Sequence, residues 1–152
     1  LRASCEILER RGDWGHFASV APLLADALHA QGRGGEAAQT IELAAGWSLD
    51  DDVEAQMSLR RVRANLLAHQ GDLKAAERIA REAVELGARI DYLNGHANAL
   101  TSLAEILELA GERDEAAAAM EQALALYDRK GNLVMAERTR ERLTDLRKQV
   151  TS

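Results

Sequence analysis

Aromatic side chains are scarce: one Phe, two Trp and two Tyr make up 3% of the 152 residues, although 47% of the chain is apolar. A core poor in rings must be assembled from Ala, Leu, Ile and Val, which suits close helix packing better than a pleated sheet. Proline is nearly absent as well, with Pro22 alone, and together with abundant Ala, Leu, Glu and Arg this reads as an all-α chain. Cys5 is the single cysteine, so an internal disulfide is excluded and a reducing, cytoplasmic setting is expected. A lone thiol on an apolar helix face reads as a small core residue. Long apolar runs are missing too. None is longer than Ala116 to Met120, far too short to span a bilayer, and no signal-peptide pattern is present. Positive charge is in deficit, at a net −6 and a pI near 5.3. That argues against a sequence-independent grip on nucleic acid by this domain.

What the chain does have is an internal repeat. Leu28-His-Ala-Gln-Gly32, Leu67-Ala-His-Gln-Gly71 and Leu107-Glu-Leu-Ala-Gly111 recur with their glycines 39 and 40 residues apart. Counted from each glycine, an alanine stands seven before (Ala25, Ala64, Ala104), five after (Ala37, Ala76, Ala116) and twelve after (Ala44, Ala83, Ala123). Three- and four-residue spacing of apolar positions predicts helices at about 2–11, 14–30, 36–46, 53–70, 73–89, 92–110, 115–130 and 133–149. Acids at Asp50 to Asp52 and at Asp91 signal helix starts. Pro22 predicts a kink or a broken start near Ala18. The organisation expected is a partial helix over 1–12, helical hairpins over 13–47, 50–89 and 91–130, and a capping helix over 132–150. The last helix is charged over much of its surface, as a solenoid end requires. A chain that opens on Leu1 inside a helical pattern reads as a fragment of a larger protein.

The glycine-framed alanines resemble the tetratricopeptide repeat, in which small residues let the two helices of a hairpin pack closely. The resemblance implies antiparallel hairpins stacked into a right-handed superhelix. Two features depart from that pattern: the repeat is longer than the usual 34 residues, and no proline ends the second helix. The segments Leu59 to Ala64, Ala80 to Leu86, Leu103 to Gly111 and Ala123 to Asn132 are also similar to the repeat regions of large bacterial signalling proteins. Those proteins join a cyclase or DNA-binding activator domain to an ATPase. Neither a cyclase nor an ATP-binding motif lies in this chain, so such activity is implied only for other domains.

No catalytic constellation is legible. His16, His29, His69 and His96 are scattered, with no second ligand at metal-site spacing, and Gly32, Gly34 and Gly35 lack the Lys-Ser/Thr of a phosphate loop. Neither a metal nor a cofactor is expected. The resemblance places the first helix of each hairpin along a concave surface, which makes Arg61, Asn65, His69, Asn98, Thr101 and Glu105 the candidate binding residues. Arg61 with Asn65 matches part of the carboxylate clamp of co-chaperone members. Asn98, Ser102 and Glu105 stand where further basic residues would be wanted, so a solvated groove that docks a peptide or a neighbouring domain of the same polypeptide is the expectation. The alternative is a small-molecule sensor with its ligand enclosed by the superhelix.

Two residues break the frame. Arg60 and Arg63 stand eleven and eight before Gly71, where the other copies carry Ala21 and Leu24, and Leu100 and Leu103. A guanidinium cannot discharge itself on burial, so a network with Glu42, Asp51 or Glu82 is predicted, costly to disrupt. Trp14 and Trp47 are expected to plug gaps between hairpins. Uncovered apolar ends of the stack would offer a homodimer surface.

Overall fold

The computed structural model describes residues 2–48 and 50–150, without the side chains of Arg2, Ser4, Cys5, Leu8, Glu9 and Val150. The reading of Cys5 as a core residue therefore lies outside the described residues. Eight helices follow one another: α1 (Arg2–Arg11), α2 (Trp14–Ala30), α3 (Gly34–Trp47), α4 (Val53–His69), α5 (Leu73–Gly87), α6 (Leu93–Leu109), α7 (Arg113–Lys130) and α8 (Leu133–Val150). There is no strand among the described residues. The pairs α2/α3, α4/α5 and α6/α7 are antiparallel hairpins, stacked in chain order into an all-α solenoid that α8 follows.

The repeated Leu-x-x-x-Gly has a backbone cause. Gly32, Gly71, Gly111 and Gly131 all have φ between 75° and 87°, a left-handed conformation that glycine adopts without steric cost. The amide after each glycine then donates to the carbonyl four residues before it: Arg33 to Leu28 at 2.9 Å, Asp72 to Leu67 at 3.1 Å, Glu112 to Leu107 at 2.9 Å and Asn132 to Tyr127 at 2.9 Å. This is the Schellman closure, which satisfies carbonyls that the helix end would strand. Asp72 then caps α5, its Oδ1 accepting from Ala75 N at 3.1 Å. Asp52 does the same for α4, accepting from Ala55 N at 3.0 Å. Asp91 does not. The α6 cap is Tyr92, without a side-chain hydrogen bond, because the helix begins two residues beyond the acid.

All nine framed alanines are fully buried. Without a side chain beyond Cβ they let paired helices approach, and the larger Ile41, Val62, Ile106, Leu107, Met120 and Tyr127 fill the spaces between them. Pro22 is buried inside an α2 that runs unbroken from Trp14 to Ala30, so the helix does not start anew after Ala18. One lost backbone bond is tolerated where the ring packs into the core beside Ala18 and Ala21. Trp14 and Trp47 stack on each other, 4.5 Å between centroids and 13° between planes. They join the start of α2 to the end of α3, within one hairpin and not between two, and Trp47 remains 46% exposed.

Candidate binding groove

The first helices α2, α4 and α6 lie side by side, and their shared face carries the candidate residues. Arg61 on α4 reaches back to Asp26 on α2, Nη2 to Oδ2 at 2.5 Å. Asp26 stands six before Gly32. Glu105 stands six before Gly111, and it too takes an arginine from the following first helix: Arg142 of α8 donates Nη1 to Glu105 Oε1 at 2.8 Å and Nη2 to Glu108 Oε2 at 3.1 Å. The middle copy has Asn65 at the equivalent place. The face is thus a ladder with charged rungs at its two ends and an amide between them.

Asn98 accepts from Tyr127 Oη at 2.6 Å, and Thr101 Oγ1 donates to Ala97 O at 3.0 Å. Tyr127 is fully buried up to that hydroxyl. Burial also pushes its phenol above the ordinary range, so it serves as a neutral donor. His69 Nδ1 donates to Asn65 O at 3.0 Å. Its ring and that of His29 pack in a T-shaped arrangement, centroids 4.1 Å apart and planes at 83°. These two stand three before Gly32 and two before Gly71, so lateral packing of α2 and α4 unites residues that look scattered in the sequence. Burial holds the His29 imidazole below its ordinary range, His69 adds to that shift and Asp26 opposes it. His29 Nδ1 is buried without a partner among the described residues.

The six candidates share one face, but each of the described polar contacts is with the protein itself. Arg61 does not stand ready for a carboxylate, because Asp26 already neutralises it. Tyr127 and Arg142 are the partners that sequence reasoning missed, and Asp26, an inward position of the first copy, was not recognised as the partner of Arg61. The recurrence of an acid six before two of the three turn glycines was the signal that could have tied Asp26 to Glu105, each as the acceptor for an arginine of the following helix. Among the described residues no three His, Cys, Asp or Glu side chains come together to hold a metal ion. An open cleft of about 590 Å³ lies at the ends of α4, α6 and α8, lined by His69, Glu105, Leu109, Arg113, Arg142 and Gln149 among others. Leu109 is 62% exposed there.

Arg60 and Arg63 each find one of the expected acids, but only Arg63 reaches across to the preceding hairpin, while Arg60 pairs within its own. Arg60 Nε lies 3.4 Å from Glu82 Oε2, and Arg63 Nε lies 3.4 Å from Glu42 Oε1. Neither arginine is buried: their side chains keep 36% and 51% exposure. The frame marked them as core positions because the other copies are buried there, but α3 and α5 stand apart where they meet α4.

A stack of helical hairpins with a polar face along its first helices defines an α-solenoid of the repeat-scaffold class. A tetratricopeptide-repeat model matches residues 54–129, half of the chain, and a second matches residues 23–42. The chain belongs to the tetratricopeptide repeat family. Among solved structures, the crystal structure of BtubC (BKLC) from P. vanneervenii is similar over 97% of this chain and 78% of that one, with a TM-score of 0.59 and 18% identity. At that identity the likeness is one of fold. A search of the curated proteins gave no match. No described helix is long and apolar enough to cross a membrane.

Proposed function

We propose that the chain is a non-catalytic docking module whose concave face takes a peptide or a neighbouring domain, within a larger bacterial signalling or transcription regulator. Tetratricopeptide repeats generally mediate protein–protein interaction, which supports the scaffold role. The observation that carries the reading is the laddered first-helix face. Its side chains are held in place by Asp26–Arg61, Asn98–Tyr127 and Glu105–Arg142, so a partner meets a preorganised polar surface with Leu109 as an apolar foothold. The cleft at its end is open rather than enclosing, which favours a polypeptide over a buried small molecule. The regulator context rests on the wording of segments such as Leu103 to Gly111.

Photo-crosslinking in the full-length parent protein tests this. A probe amino acid at Asn65 or Thr101 should give a discrete crosslink, to another protein or to another domain of the same chain, while a probe at exposed Gln122 on α7 should not. Adducts of small molecules alone at the groove positions would refute docking. A cyclase, ATPase or activator signature in the parent sequence checks the context, and its absence would remove that part of the reading.

A further inference from the structure

Two asparagines on the groove face of α6 are fixed in a way that an ordinary surface amide is not. Asn132, just before α8, accepts from Met135 N on its Oδ1 at 3.3 Å. Its Nδ2 is therefore the end that donates to Asn94 Oδ1, also at 3.3 Å. That leaves Asn94 with its oxygen engaged and its own Nδ2 free. One helical turn on, a different device turns Asn98 the same way. Thr101 Oγ1 gives its proton to Ala97 O, so the buried Tyr127 hydroxyl finds its acceptor in Asn98 Oδ1. The separation of 2.6 Å is that of an O–H···O bond and short for an amide donor. Neither free Nδ2 bonds to another described residue. Asn98 is exposed, and Asn94 Nδ2 is not among the buried atoms without a partner, so both amides meet solvent.

Asn94, Asn98 and Thr101 stand at i, i+4 and i+7 of α6, on one face of the helix. The two locked donors are thus about 6 Å apart along the axis. Carbonyls on one edge of an extended chain recur at every second residue, about 6.6 Å. Thr101, its proton engaged, offers only lone pairs and suits an N–H of that same edge. A helix or a folded surface does not match, because its main-chain carbonyls are already bonded. When an extended chain turns its carbonyls onto α6, its side chains point alternately to the two sides. Exposed apolar surface stands on each. Tyr92 lies towards α4, its ring so close over Gly95 that a Cβ there would collide with it and with Met57. Val134 lies at the start of α8, which the Asn94–Asn132 bond holds beside α6.

Given a docking role for the concave face, we infer that its third-copy section holds an extended segment of a partner polypeptide by the main chain. Asn94 Nδ2 and Asn98 Nδ2 donate to two carbonyls of one edge, and Thr101 Oγ1 accepts an N–H beside them. Tyr127 and Asn132 are positioning residues, which decide the end of each amide that the partner meets. The locked amides lose little freedom on binding, so main-chain contacts alone give useful affinity. Recognition is tolerant of sequence, with a preference for side chains that rest on Tyr92 and Val134.

The test is an NMR titration of the isotope-labelled chain with the capped peptide Ac-Val-Thr-Val-Thr-Val-NH2, whose residues favour an extended backbone. The side-chain NH2 signals of Asn94 and Asn98 should shift together and saturate at millimolar peptide, while that of Gln122 on α7 stays still. A version with aminoisobutyric acid in place of both threonines crowds the extended backbone and should bind about tenfold more weakly. Asn94→Asp/Asn98→Asp keeps the oxygens that Asn132 and Tyr127 use and removes only the donors. Binding should fall about tenfold or more, the scale of two neutral hydrogen bonds. Asn94→Ala/Asn98→Ala, which adds no charge, should match that loss. Tyr127→Phe should weaken binding less, by freeing Asn98 to turn. Circular dichroism and the urea midpoint establish that the variants are folded. Undiminished binding by either double variant, equal binding of the aminoisobutyrate peptide, or still signals at Asn94 and Asn98 would each overturn main-chain recognition. Discrete crosslinks from Asn65 or Thr101 beside such a result would leave docking standing without it, and their absence would remove docking as well.

Discussion

Replacing Gly87 by alanine tests how closely successive hairpins approach. Gly87 is the last residue of α5 and is buried against the start of α6. A Cβ built there would lie 2.9 Å from His96 Cδ2, 3.1 Å from His96 Cα and 3.1 Å from His96 Cβ. A ring edge can swing away, but the Cα belongs to the first turn of α6 and moves only with the helix. Overpacking of this kind costs about 1–3 kcal/mol. Opposing it, an alanine gains up to about 1 kcal/mol over glycine inside a helix, and less at a final residue. The clash wins, leaving Gly87→Ala less stable by roughly 1–2 kcal/mol. For a chain of this length that lowers the melting temperature by about 2–8 °C. Gly46→Ala in α3 is the control, because no heavy atom lies within 4 Å of its added Cβ. It should raise stability by about 0.5–1 kcal/mol. Urea unfolding of both variants reads the difference as opposite shifts of the midpoint at constant slope. If Gly87→Ala shifts upward together with Gly46→Ala, the close approach of α5 to α6 is refuted.

Arg63→Ala should cost about 1 kcal/mol or less, because its pair with Glu42 is long and half-exposed and leaves no buried acid behind. A loss near 3 kcal/mol in urea would restore the buried network that the repeat frame suggested. Tyr127→Phe keeps the buried ring and removes the 2.6 Å bond to Asn98, for a loss of about 0.5–1.5 kcal/mol by thermal unfolding; an unchanged melting point would contradict that bond. Burial lowers the pKa of both His29 and His96 in the folded chain, so the unfolded chain binds more protons just below the ordinary histidine range. The stability that these neutral imidazoles contribute is complete above pH about 6.5 and declines as pH falls below it. The urea midpoint should drop between pH 7 and 5.5, by less in a His29→Gln variant, and an equal drop in that variant would exclude His29.

The repeat was legible because its cause is local. A left-handed glycine with its Schellman bond fixes where a helix ends, and the burial of nine alanines follows from a fixed count along two helices. Residues such as Ala64 and Ala76 needed nothing beyond that count. The separation of neighbouring hairpins is not local, and there the frame failed. It assigned Arg60 and Arg63 to the core because it carries the face of a helix but not the gap to the next one. Trp14 and Trp47 misled for the same reason, since the frame has no term for a stack across the two ends of one hairpin. Among the groove candidates, Arg61 could not be read as neutralised until α2 and α4 were side by side.

The framed turns have a consequence for assembly. Hairpins built on one alanine pattern are nearly interchangeable wedges, and a folding chain could dock α6/α7 directly on α3 and leave α4/α5 looped out. Arg63 weighs against that error, and only lightly. In a shuffled stack it would lose Glu42 on α3, whereas Arg60 would keep Glu82 within its own hairpin. Of the two residues that spoil the repeat, one marks which neighbour the middle hairpin follows and the other stays within the hairpin itself.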